Sequence, residues 1–255
     1  MPKLGGTGLD DSDSEITGLS SDVLGRDGLS GVVEETDPFF SNVVLLTDWA
    51  GNDGDTTATD LSNSNHDFSL AFIGNAQIDT AIQHLGENTV LYDGTGDRIQ
   101  LADDDDWDFG TGDFTVELGV YMDTVANAVG FIGQYNPPAT GWVLRWDPAS
   151  GGQLFFQNGD VSSITRSWSP STATMYHVAV SKASNVIRLF IDGVQLSGAN
   201  GDNVDYGGGT AVLRIGSKTS LAELIDGNIG AVRMTKGVGR YTASFTPPTT
   251  MYPTS

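Results

Sequence analysis

The run at residues 175–193, MYHVAVSKASNVIRLFIDG, restricts the fold more than any other part of the chain. Val178 and Val180 alternate with His177, Ala179 and Ser181, and Ile187, Leu189 and Ile191 alternate with Arg188 and Phe190, which is the period of two that half-buried strands require. Residues 182–185 are short and polar enough to reverse the chain between the two runs. Asp192-Gly193 then supplies the positive φ angles of a tight hairpin into 194–196. The expectation is an antiparallel meander of two strands and the start of a third.

The rest of the chain repeats this grammar. Short apolar runs at 42–48, 68–73, 88–92, 98–102, 113–122, 128–134, 141–147, 153–158, 161–168, 211–216 and 228–235 are bounded by Gly, Pro, Asn or Asp. Only 77–84 suggests a short helical turn. With 33 glycines in 255 residues and no long helical period, the sequence predicts one all-β, two-sheet antiparallel sandwich over residues 37–255. Pro247, Pro248 and Pro253 bar the closing segment from a central strand and predict an extended run along an edge.

Residues 1–36 are rich in Gly, Asp and Ser, with too few apolar side chains for a core of their own. They read as an N-terminal arm, either a docking segment for a partner or a plain unstructured leader. No apolar leader is recognisable as a secretion signal, and no stretch approaches the roughly 20 apolar residues of a membrane span, so membrane insertion is not expected. The absence of cysteine excludes disulfides and thiolate metal sites. A formal charge of −21 argues against nucleic acid as a partner, because phosphate binding needs a cationic surface. The charge is uneven: residues 1–136 carry 3 basic and 26 acidic side chains, residues 137–255 carry 9 and 7.

Taken in order, 42–48, Asp93-Gly94-Thr95-Gly96-Asp97, the 108–117 run DFGTGDFTVE, His177-Val178-Ala179-Val180, Leu189-Phe190-Ile191-Asp192-Gly193 and 227–233 resemble laminin-G-like, concanavalin-A-like jelly rolls. The resemblance covers residues 37–248 and implies that fold. The ending at 233–248, RMTKGVGRYTASFTPP, is similar to the subset of these domains found in bacteriophage virion proteins, on capsids and in tail fibres. Two positions depart from the family pattern. Leu118-Gly119 stands where an aromatic is usual, and Met175 stands where a Trp often precedes the Tyr-His pair.

Glycan hydrolases share this fold and need two carboxylates opposed across the sugar, commonly from one strand as Glu-x-Asp-x-Glu. That pattern is missing: Glu35-Thr36-Asp37 runs into Pro38, and Glu117 and Asp123 would stand about 20 Å apart on one strand face. There is no Gly-x-Ser-x-Gly, His-Glu-x-x-His or phosphate loop, and His66, His84 and His177 lie in unrelated contexts, so no enzyme is expected. His177 reads as a strand residue with a satisfied ring.

No cofactor is required by the sequence, and calcium is the one candidate. Asp104, Asp106 and Asp108 mimic the first ligands of a calcium loop, but Phe109 and Thr115 replace the Gly and Glu that an EF-hand needs. A looser site joined by Asp226, or by Asp93 and Asp97, competes with the simpler reading of solvated, mutually repelling carboxylates. Trp142, Leu144 and Trp146 share one face of a strand and read as core. Trp49 and Trp107 fall in turn-rich loops and are the candidate glycan-stacking residues.

The resemblance implies a non-enzymatic structural protein on the virion surface, a capsid decoration protein whose arm grips the major capsid protein. A homotrimer follows by analogy. The alternative is a glycan- or receptor-binding module of a tail fibre, with cell-surface glycans as partners.

Overall fold

The structure, a computed structural model, describes residues 36–62, 64, 70–136 and 140–255. The predicted arm at 1–36, except Thr36, lies outside the described residues, as do His66 and the start of the strand expected at 68–73. Among the described residues no helix is long and apolar enough to cross a membrane.

The described residues form sixteen strands: β1 (Val43–Thr47), β2 (Ala71–Ile73), β3 (Gln77–His84), β4 (Glu87–Asp93), β5 (Arg98–Leu101), β6 (Phe114–Met122), β7 (Val129–Gly133), β8 (Trp142–Asp147), β9 (Gln153–Asn158), β10 (Val161–Ser167), β11 (Met175–Ala183), β12 (Val186–Ile191), β13 (Val194–Gln195), β14 (Asn200–Gly201), β15 (Leu213–Ile215) and β16 (Asp226–Lys236). One sheet has nine strands in the order β13-β12-β11-β6-β16-β4-β3, with β1 added on β16 and β14 on β12. The other has seven, ordered β10-β9-β8-β7-β15-β5-β2. The named pairings in both sheets are antiparallel, giving the all-β sandwich that the alternating runs predict.

The 175–193 meander is present as expected. Val178 pairs with Ile191 and Val180 with Leu189. Both reversals use two residues at positive φ, Ser184 (52°) with Asn185 (60°) and Asp192 (48°) with Gly193 (72°), the backbone that matches strand twist in a two-residue hairpin. Gly193 has a second reason to be glycine, since a Cβ there would lie 2.0 Å from the Phe245 carbonyl oxygen.

Inward side chains of the two sheets make one core. Trp142, Leu144 and Trp146 of β8 lie in it, with Phe109 stacked 4.4 Å from Phe114 and 5.1 Å from Trp142. These rings supply much of the apolar area whose removal from water stabilises the sandwich.

Two expectations about local structure are corrected. Residues 77–84 form β3, hairpinned to β4 through Leu85 and Gly86 at positive φ, because β-branched Ile78, Thr80 and Ile82 suit a strand and the turn is built on an unmarked Leu-Gly pair. The closing segment runs across a sheet face and not along an edge. Tyr252 is buried with Val43, Leu46 and Ala231, Phe245 packs on His177 at 5.8 Å, and the Ser255 carbonyl accepts from the Asp37 amide at 2.7 Å. Its aromatic rings, and not its prolines, determine where it lies.

Candidate functional site

The sandwich has two outer faces, and they differ. On the nine-stranded sheet, Glu117 of β6 lies directly opposite Arg233 of β16, and His177 of β11 lies diagonal to it. Glu117 Oε1 accepts from Arg233 Nε at 2.8 Å, while Oε2 accepts from His177 Nε2 at 3.0 Å and from the Tyr241 hydroxyl at 2.8 Å. Arg233 also reaches Asp37, which takes a two-pronged pair from Arg240 at 2.9 and 2.7 Å, and the Arg233 guanidinium lies 4.0 Å over the Tyr252 ring.

Burial alone would raise the Glu117 carboxyl, but the Arg233 charge and the His177 and Tyr241 bonds bring it down to about 2. Glu117 is fully buried and both its oxygens are occupied, so it is closed to a substrate. Tail, Asp37 and sheet form one tie that closes this face.

His84 lies against the same cluster, its ring 6.4 Å from that of His177. It is seated over Gly119 and Gly230, where a Cβ would come within 2.5 and 2.4 Å of its atoms. This explains Leu118-Gly119 in place of the family's aromatic: the glycine makes room for an imidazole. His177 is only half satisfied, since with Nε2 donating to Glu117 its buried Nδ1 has no partner among the described residues.

The aspartate loop is a device for holding loops. Asp104 accepts from the Asp106 amide and caps the short turn Asp105–Trp107, Asp103 accepts from Gln134 Nε2 at 2.7 Å, and Asp108 accepts from the amides of Gly208 and Gly209 at 2.9 and 3.1 Å. The metal set read from the sequence, Asp104, Asp106, Asp108 and Asp226, is not brought together. Lys236, at the far end of β16 from Asp226, donates to the Asp105 carbonyl, so about 30 Å of strand separates them. Among the described residues no three or more acidic, His or Cys side chains are grouped to hold a metal. Asp108→Ala is expected to cost about 1–3 kcal/mol in urea unfolding through two lost bonds to a charged acceptor, with millimolar calcium leaving the wild-type melting temperature unchanged.

The glycan candidates Trp49 and Trp107 are also corrected, because both rings are fully buried. Trp49 Nε1 donates to the Gly230 carbonyl and its ring meets Phe72 edge-on at 6.3 Å; Trp107 Nε1 donates to the Ala102 carbonyl. Loop position in the chain does not mean exposure. A shallow depression of about 200 Å³ beside Val125, Trp146, Pro148 and Pro170 is small for an enclosed ligand site.

The outer face of the seven-stranded sheet carries a different surface. Ile99 and Leu101 of β5 and Leu213 and Ile215 of β15 point into the core, so the alternate residues Arg98, Gln100 and Arg214 point out. Gln100 lies directly opposite Arg214, and its Oε1 is 3.4 Å from Arg98 Nε. Arg214 donates to the Tyr135 carbonyl at 3.2 Å and Arg98 to those of Gly96 and Ser220. Lys218 lies 4.6 Å over the Tyr135 ring. The loop bearing Lys218 lies across the sheet at Gly130, where a Cβ would come within 2.3 Å of the Lys218 amide. Sequence reading passed over these residues, although polar Arg98, Gln100 and Arg214 interrupt apolar strands at every second position.

Residues 93–238, more than half the chain, match the family described as the Concanavalin A-like lectin/glucanases superfamily. The chain belongs to this superfamily. No curated protein matches it in sequence.

Solved structures share the superfamily sandwich. Domain 4 of AbnA, a GH43 extracellular arabinanase from Geobacillus stearothermophilus solved in complex with arabinotriose, superposes with a TM-score of 0.55 and 17% identity over 77% of this chain and 93% of that one. The binding domain of Paraclostridial Mosquitocidal Protein 1 gives 0.56 at 12% identity over 78% of this chain. The receptor binding domain of botulinum neurotoxin D gives 0.55 at 14% over 78%. The chain spans 50% of each toxin chain. At such identities the likeness is one of fold.

Proposed function

We propose that this superfamily sandwich is a non-enzymatic glycan-binding module whose sugar site is the outer face of β5 and β15. The observation that carries the reading is the contrast between faces: one is closed by the tail and its buried ions, while the other presents Arg98, Gln100 and Arg214 beside Tyr135 and Lys218. Guanidinium and amide groups fixed on strands are pre-organised hydrogen-bonding groups for sugar hydroxyls. Domains of similar fold include one solved with arabinotriose and one that binds a receptor. The non-enzymatic part of the reading is supported by Glu117, whose oxygens are both engaged by its neighbours.

A glycan array is the test. Saturable binding is expected, weakened about tenfold by Gln100→Ala, and release of reducing sugar by the pure protein would contradict the non-enzymatic reading.

A second reading, display on a virion surface with attachment to a capsid protein through residues 1–36 and assembly as a homotrimer, rests on the resemblance at 233–248. Arg233, Arg240, Tyr241 and Phe245 in that stretch all pack the tail, so the resemblance speaks first to how the tail folds. Binding of the full chain to capsid shells is the measurement that bears on it.

A further inference from the structure

We propose that the Arg98–Arg214 pair makes this face selective for acidic saccharides, with the sugar's anionic group held between the two guanidinium groups. The proposal rests on the glycan-binding reading of the same face and narrows it to a ligand class.

The chain has 12 basic side chains against 33 acidic ones, so two adjacent basic groups that share no described carboxylate stand out. Several cations elsewhere among the described residues are paired with carboxylates, while Arg166 and Lys182 bond to carbonyl and amide oxygens. Arg145 pairs with Asp147 and Glu223, Arg233 with Glu117 and Asp37, Arg240 with Asp37, and Lys182 donates to the carbonyls of Thr111 and Val204. Arg98 and Arg214 belong with Arg166 and Lys182 in this respect, but they are in addition neighbours of like charge on adjacent strands. Their hydrogen bonds go to the carbonyls of Gly96, Ser220 and Tyr135 and to the Gln100 amide, and neither forms an ion pair with a described carboxylate.

Their placement is also unfavourable in isolation. They are diagonal neighbours on β5 and β15, and burial together with the charge of Arg98 holds the Arg214 guanidinium below its ordinary range. Arg214 Nε is buried without a partner among the described residues, a further cost. Two like charges held together on adjacent strands destabilise the fold, and an anion between them removes that repulsion. Guanidinium groups suit this task because their planar fork matches a carboxylate bidentately. Gln100 between them offers a further donor to the sugar, while Lys218 alongside is already paired with the Glu223 carboxylate at 3.4 Å.

The overall negative charge does not prevent such binding. Exposed charges more than about 8–10 Å away are largely screened at physiological salt, so a short acidic saccharide senses mainly the local pair. A long polyanion such as nucleic acid would extend into the acidic surroundings.

The test titrates the full chain with oligogalacturonate, its methyl ester, a sulfated oligosaccharide, a neutral arabino-oligosaccharide, and free acetate and sulfate. Oligogalacturonate or the sulfated sugar is expected to bind at least about tenfold more tightly than the ester and the neutral sugar, the two arms showing which anionic group is preferred. Arg98→Gln/Arg214→Gln should remove that advantage, and Arg214→Lys should keep part of it. Comparing acid with ester on the wild-type chain decides the matter even if the double variant does not fold.

Equal binding of acid and ester, acidic binding untouched by a folded double variant, or free anions binding as well as the sugars would each overturn the selectivity while leaving glycan binding in place. Binding of none of the saccharides would overturn both.

Discussion

Glu117→Ala is expected to destabilise the protein by about 3–5 kcal/mol in urea or guanidinium unfolding, the range for removing one partner from a buried ion pair. The cost arises from what remains. Arg233 would stay buried against Tyr252 and share the Asp37 carboxylate, which Arg240 already engages, and the Tyr241 hydroxyl and His177 Nε2 would lose their acceptor. Because the tail closes the nine-stranded sheet through these contacts, protease cleavage between Arg240 and Tyr252 should accelerate before global unfolding. Glu117→Gln keeps the shape and part of the bonding and should cost less. A loss below about 1 kcal/mol for the alanine variant would show that the cluster does not hold the tail.

Acidification should destabilise the protein in two stages. His84 is held down to about 4 by burial first and by the nearby His177 second, with Glu117 acting weakly the other way. The unfolded chain therefore takes up a proton below about pH 6.5 while the folded one stays neutral to about 4, and roughly 3 kcal/mol is lost across that interval. Glu117, with a folded value near 2 against an ordinary 4.5, contributes stability that is complete above about 4.5 and is lost as pH falls towards 2, about another 3 kcal/mol. Asp37, lowered by its arginines against the opposing effect of burial, acts in the same direction.

Unfolding curves from pH 7 to 3 check this. His84→Leu should flatten the stage between pH 6.5 and 4 and leave the later one, whereas wild-type stability that is level or rising over the first stage would contradict the assignment.

The contrast between what the sequence shows and what it hides follows from the range of the interactions. The 175–193 meander was readable because alternation and Asp-Gly are local signals, and Trp142 and Trp146 were readable as core because they share one strand face. Trp49 and Trp107 were misjudged because their cover comes from distant segments, as when Trp49 reaches the carbonyl of Gly230. The place of the tail depended likewise on Glu117 and His177, which no local pattern links to Tyr241 or Tyr252. The candidate binding face was hidden for a related reason: an arginine is known to lack a carboxylate only once its neighbours are known, and Arg98 and Arg214 are 116 positions apart in the chain.

The most direct test of the account is a backbone chemical-shift map of the full chain titrated with an oligosaccharide that binds on the array. Shifts are expected to centre on Arg98, Gln100, Arg214 and Lys218, with Glu117, His177 and Tyr252 unmoved. Shifts centred on the nine-stranded sheet and its tail, or no saccharide binding at all, would contradict it.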